Sequence, residues 1–141
     1  MKLSAECHYA IEALAYMSLN KLKQPIKLSE IAQAQNLPLP YLEKIFIKLR
    51  THNIVTSIKG PGGGFKLNMS KEKINLALVI NALDSNLQAM RCAGASTCSN
   101  GSSCLSHSVW DNLNQWVHLY FSSVNLANLH NQDYKNILQL R

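Results

Sequence analysis

No apolar run in this 141-residue chain approaches the roughly 20 residues needed to cross a bilayer, which excludes a helical membrane span. Its opening, MKLSAECHYAIEALAYM, follows Lys2 with Glu6 and Glu12 instead of an unbroken apolar core. That is not the pattern of a signal peptide, and the chain is expected in the cytosol, where disulfides are rare. Acidic residues are scarce: eight Asp and Glu stand against fourteen Lys and Arg, for a net charge of +6. Up to residue 90 the balance is eleven basic to six acidic, and after it three to two. A basic front half implies a polyanionic partner. Also missing are a nucleophile paired with a base, paired carboxylates and any cofactor fingerprint, so the chain is not expected to be an enzyme.

Large apolar side chains are absent from one stretch in particular. Between Arg91 and Trp110 the chain reads RCAGASTCSNGSSCLSHSVW, and residues 93–97 and 99–103 are all small or polar. Such a loop has nothing to bury against a core. It does carry Cys92, Cys98 and Cys104, with five residues between neighbours, and His107 three residues on. Three thiolates and an imidazole are soft or borderline donors with no hard oxygen among them, a set suited to an iron-sulfur cluster or zinc. Structural zinc sites favour ligands two to four residues apart, which makes zinc the second choice. An odd number of loop cysteines argues against a disulfide framework.

The rest of the chain is mostly helical by its periodicity. Ser4 caps a helix with apolar positions Tyr9, Ala10, Ala13, Leu14 and Met17, ending before Asn20. After a polar connection from Lys21 to Lys27, Leu28 to Gln35 forms a short helix with Ile31 and Ala32 inward. Asn36-Leu37-Pro38 forms a turn, and Pro40 opens another helix at its first position. That helix has one apolar stripe, Leu42, Ile45, Phe46 and Leu49, which leaves Tyr41, Glu43, Lys44, Lys48 and Arg50 to the other face and the ends. Two short helices joined tightly, the second basic outside, match a helix-turn-helix whose second helix enters the DNA major groove.

Ile54 to Ile58 and Phe65 to Met69 alternate as strands around Lys59-Gly60-Pro61-Gly62-Gly63-Gly64. A phosphate-cradling loop would end in Gly-Lys-Ser/Thr and run into a helix; here a strand follows. A hairpin placed directly after a helix-turn-helix is the wing of a winged helix, with Lys59 and Lys66 set to meet phosphate or the minor groove. Asn75 then caps a helix over Leu76 to Leu83. Beyond the cysteine loop a long helix is expected from about Leu105 to Ser122, with Val109, Leu113, Trp116 and Tyr120 as its stripe. Trp110, Val117, Phe121 and Val124 lie on a neighbouring face. That much apolar surface reads as a seam between two-fold related copies. Asn125 to His130 forms a terminal turn and Asp133 to Arg141 a tail. The expected fold is mainly α with a small β-hairpin wing: a winged helix-turn-helix over 1–84, a cluster-binding loop over 85–104, a dimerisation helix and short terminal helix over 105–131, and a tail over 132–141.

KGPGGGF at 59–65, preceded by LPYLEKIFIKLR and followed by the cysteine loop ending CLSHSVW, resembles the IscR family of bacterial winged-helix redox regulators, which also includes NsrR. The resemblance runs from Met1 to about Asn131. It implies a cytoplasmic homodimeric transcriptional repressor or activator that binds double-stranded DNA and receives its cluster from iron-sulfur donor proteins to control cluster biogenesis genes. It implies that Cys92, Cys98, Cys104 and His107 bind a 2Fe-2S cluster. Relatives with other cysteine spacings hold 4Fe-4S clusters and sense nitric oxide or iron. Some draw a ligand from the N-terminal helix of the other subunit, where this chain has Cys7, His8 and Glu12; for Cys7 a buried hydrophobic role is the alternative. DNA contacts are implied for Leu39, Pro40, Tyr41, Glu43, Lys44, Lys48 and Arg50, and at the wing for Lys59, Gly60, Pro61, Gly62, Gly63 and Lys66. Glu43 tunes operator choice in the resembled regulators. Where they often carry serines at 38 and 40 and arginine at the wing's start, this chain has Pro38, Pro40 and Lys59. It therefore lacks two hydroxyls and a planar fork that could meet DNA at those positions. A zinc or iron-sulfur protein without DNA binding is the reading from a different class.

Overall fold

The computed structural model describes residues 3–21, 24–83 and 104–131. The cysteine loop up to residue 103 and the tail from 132 lie outside the described residues, and so do two residues of the expected polar connection, 22 and 23.

Helix α1, Ala5–Ser18, starts where the Ser4 hydroxyl accepts a hydrogen bond from the Cys7 N–H at 3.3 Å. It buries Cys7, Ala10, Ala13, Leu14 and Met17, one face at three- and four-residue steps. Helix α2, Leu28–Gln35, ends at Asn36, whose φ of 52° is left-handed, and the Leu37 N–H then closes onto the Ala32 carbonyl at 2.9 Å. Helix α3, Leu39–Thr51, follows at once with Pro38 as its N-cap, so Pro40 sits at the second helical position instead of the first. Proline is tolerated there because an N–H in the first turn has no intrahelical acceptor. The expected stripe is realised: Leu42, Ile45, Phe46 and Leu49 are fully buried.

Strands β1, Val55–Ile58, and β2, Gly64–Leu67, pair antiparallel from Val55 opposite Leu67 to Ile58 opposite Gly64. The second strand is thus one residue earlier at its start, and two earlier at its end, than the alternation suggests. Its other edge is also used, since Ile26 and Phe65 exchange both backbone hydrogen bonds at 2.9 and 2.8 Å. The connection ahead of α2 therefore pins the wing to the body. Phe65 adds an edge-on contact with Phe46, ring centroids 5.0 Å apart, of the kind that contributes about 1 kcal/mol beyond burial.

Gly64 makes this three-way junction possible. Its φ is +151°, and a Cβ there would lie 2.5 Å from the Ile26 carbonyl oxygen. Gly63 is equally tight, since a Cβ would meet the Ile58 carbonyl oxygen at 2.3 Å. Gly64→Ala is expected to cost roughly 2 kcal/mol or more, because the Ile26–Lys27 backbone must move and the left-handed φ strains any side chain. Urea unfolding of the variant against wild type measures this, and an unchanged midpoint would show that the wing tolerates the displacement.

Helix α4, Leu76–Leu83, is capped by Asn75, whose side-chain oxygen accepts from the Leu78 N–H at 2.8 Å. Helix α5 spans His107–Ser123 and α6 spans Leu126–Asn131. The α5–α6 junction is stitched to the start of α4, with Leu76 N–H donating to the Val124 carbonyl at 2.8 Å and Leu126 N–H to the Ile74 carbonyl at 3.0 Å. Leu126 is fully buried in the same core as α1 to α4, and Val124 packs with Cys7, Leu76 and Ile80. Among the described residues that core holds no polar or charged side chain.

The remainder of α5 has no such cover. None of its residues is buried, and Val109, Trp110, Leu113, Trp116 and Leu119 are large apolar side chains exposed between 42% and 62%. The uncovered face therefore includes Trp110 and Leu119, while Tyr120 and Phe121 turn back toward Cys7 and Val124. Sequence spacing places Tyr120 in the outer stripe; docking of the helix end on α1 and α4 decides otherwise.

Candidate functional site

Opposite its buried stripe, α3 presents Pro40, Tyr41, Glu43, Lys44, Ile47 and Arg50 to solvent, with Leu39 half-buried at its start. Tyr41 is steadied by an edge-on contact with Tyr9 of α1, centroids 6.1 Å apart. Lys48 is not on the open face: it is half-exposed and forms an ion pair with Glu6 of α1. Its positive charge is largely matched within the fold, which leaves Lys44 and Arg50 as the exposed cations of the helix. An exposed pair of this kind contributes little to stability, about 0–1 kcal/mol, yet it fixes which way the lysine points.

The wing brings a second set of groups. Lys59, Gly60, Pro61 and Gly62 are exposed at the hairpin tip, Gly63 is buried inside the turn, and its N–H donates to the Gly60 carbonyl at 2.9 Å. Lys66 lies on β2 opposite Thr56. Because alternate residues of a strand face opposite sides, the inward packing of Phe65 leaves Lys66 on the other face. A helix with exposed cations in its outer half and a slim glycine-rich tip carrying lysine match the groove and the phosphate backbone of a duplex.

Two residues of this surface escape sequence reasoning. Ile47 falls outside the inward stripe, so the same periodicity that located the core marks it as a branched aliphatic residue set on the outer face. Glu6 has no local signal, since its partner is 42 residues away.

Of the four candidate cluster ligands, Cys92 and Cys98 lie outside the described residues. Cys104 is exposed in the turn leading into α5, and His107 is the first residue of that helix, its N–H donating to the Cys104 carbonyl at 3.0 Å. The Ser106 hydroxyl lies 3.6 Å from the Cys104 sulfur and accepts from the Trp110 indole N–H at 3.2 Å. One turn thus holds a thiol and an imidazole at the start of α5. Those donors fit a thiolate-bound iron-sulfur group or zinc. Among the described residues no three His, Cys, Asp or Glu side chains gather closely enough to hold a metal ion. On α1, His8 and Glu12 are exposed, whereas Cys7 is fully buried between α4 and the end of α5. No described helix is long and apolar enough to cross a membrane.

Comparison with known proteins agrees with this architecture. The model of the Rrf2 family, described as an iron-dependent transcriptional regulator, matches residues 3–132. The HTH-type transcriptional regulator IscR of Sodalis glossinidius is 36% identical over 129 residues, covering 92% of this chain and 78% of that protein. Among solved structures, T. potens IscR superposes with a TM-score of 0.76 at 24% identity, covering 100% of this chain and 93% of the other. CymR, the global cysteine regulator of B. subtilis, gives 0.82 at 23% identity, covering 94% and 98%.

Proposed function

We propose, on the premise that this chain belongs to the Rrf2 family of transcriptional regulators, that it is an IscR-like cytoplasmic bacterial regulator whose iron-sulfur cluster changes its choice of DNA sites. The observation that carries this reading is the pairing of an outward-facing α3 with an exposed lysine-bearing wing on a winged-helix body. The exposed face of α3 enters the major groove, and the wing tip follows the adjoining backbone. Two copies joined along α5 present two such pairs, so operators carry half-sites about one helical turn, or a multiple of it, apart. Cys92, Cys98, Cys104 and His107 hold a 2Fe-2S cluster delivered by iron-sulfur donor proteins. When bound, that group supplies a redox-active centre and a four-point tie for the loop. The target genes in this reading are those of cluster biogenesis.

The chain's own residues divide the labour. Lys44, Arg50 and Lys59 supply charge-based affinity independent of sequence, and Glu43 supplies discrimination. Lys48 contributes less charge, because Glu6 is already its partner. The affinity of the protein for random duplex DNA is therefore expected to fall steeply with salt. In Lys59→Ala the slope of log affinity on log salt should be shallower by about 0.9 for each phosphate no longer neutralised, or roughly two for a dimer with two wings. Lys48→Ala should change it less. Titration of labelled duplex at several salt concentrations measures both, and a Lys59→Ala slope equal to wild type would remove the wing from the interface.

A further inference from the structure

Resting on the DNA-binding reading above, we infer that Ile47 reads the 5-methyl group of a thymine in the operator. Ile47 is 56% exposed, while Leu42, Ile45, Phe46 and Leu49 of the same helix are fully buried. It lies seven residues after Pro40, about 20° short of two full turns, so the two lie nearly in line along the helix. That line runs opposite the buried stripe and is the part of α3 farthest from the core. Exposed Lys44 and Arg50 flank it. A basic rim around an apolar point is complementary to a phosphate-walled groove that contains an apolar feature. In the major groove that feature is the thymine methyl, which no other base carries.

The chemistry of the side chain narrows this further. Isoleucine has no donor or acceptor, so it cannot compensate the desolvation of guanine O6 and N7 or of the cytosine amino group. A β-branched residue on a helix holds essentially one χ1 rotamer. Ile47 is therefore set in place before binding and gives up little side-chain freedom when it docks. Glu43, one turn earlier on the same exposed face, accepts from cytosine. The two together would specify a cytosine and a thymine a short distance apart in each half-site.

The test selects duplexes from a random pool with wild-type protein, then replaces each thymine of the enriched site by deoxyuridine, which removes the 5-methyl group and nothing else. At one thymine per half-site the replacement is expected to weaken binding about four-fold, the effect of withdrawing one buried methyl. Ile47→Ser should bind dT and dU duplexes equally at that position, while Ile47→Val should still discriminate. Both variants keep the wild-type salt slope, because no charge changes. Equal binding of dT and dU duplexes by wild type at every position, or a penalty that Ile47→Ser retains, would overturn the inference while leaving DNA binding intact. If no duplex is enriched and binding shows no salt dependence, the DNA-binding reading fails and the inference with it.

Discussion

Trp116→Asp is expected to leave the protein monomeric at micromolar concentration. In the single chain α5 buries none of its residues, and Trp116 is 57% exposed at the centre of a row formed with Val109, Leu113 and Leu119. Scattered exposed apolar residues are ordinary, but a contiguous row along a helix of this length supports the proposed seam between two copies. Removing a buried tryptophan side chain costs about 3–5 kcal/mol, and a two-fold dimer loses two. An unpaired carboxylate in the seam adds to that. A loss of roughly 6 kcal/mol corresponds to about four orders of magnitude in dissociation constant. Sedimentation of wild type and variant decides it. A Trp116→Asp protein that sediments as wild type does would place the interface elsewhere. The fold itself should survive, since the buried residues of the core lie on α1 to α4, β1, α6 and the connections between them.

The second large effect concerns the cluster ligands. Protein purified without oxygen is expected to be brown, and Cys104→Ala or His107→Ala to lose most of that colour, because each removes one ligand of the proposed set of four. A colourless wild-type protein with stoichiometric zinc would overturn the cluster assignment. The consequence for DNA should appear as a change in ranking. Cys104→Ala is expected to reorder a set of operators while its affinity for random duplex stays within about two-fold, since no phosphate-binding cation is touched. Glu43 is the residue through which the proposed change of order would act, because a carboxylate can accept from cytosine and is repelled by the acceptor edge of guanine. A competition assay on two operator classes with cluster-loaded protein, cluster-free protein and Glu43→Ala tests this. Identical rankings for all three would reduce the cluster to a stabilising role.

A packed connection runs between the C-terminal end of α5 and α3. The C-terminal end of α5 rests on Cys7 through Tyr120, Phe121 and Val124, and the neighbouring Glu6 holds Lys48 of α3. These contacts are the route by which a shift of α5 would reach the helix that carries Glu43. Replacement of Cys7 by a larger residue would disturb this route first, because Cys7 is fully buried and a packed site resists an added group.

Much of the architecture was legible in the residues because it is encoded locally. Ser4 and Asn75 announce helix starts through side chains that satisfy N–H groups three residues on. The spacing of Leu42, Ile45, Phe46 and Leu49 determines the inward face of α3. The Gly-Pro-Gly-Gly-Gly run between alternating segments determines a hairpin. The order of helix, turn, helix and hairpin then leaves few folds to choose from, and the cysteine spacing names a donor set whatever the tertiary structure.

Other features depend on partners far apart in the chain. Ile26 closes the second edge of β2 although nothing in its neighbourhood reads as a strand. Glu6 captures Lys48 and so withdraws from the outer face a cation that charge counting assigns to DNA. Tyr120 turns inward and Leu119 outward because the junction at Asn125 ties the end of α5 to α4. Each of these contacts forms between side chains or backbone groups that are neighbours only once the helices have packed. A local pattern records the face a residue prefers, whereas the neighbour waiting on that face is set by the path of the whole chain.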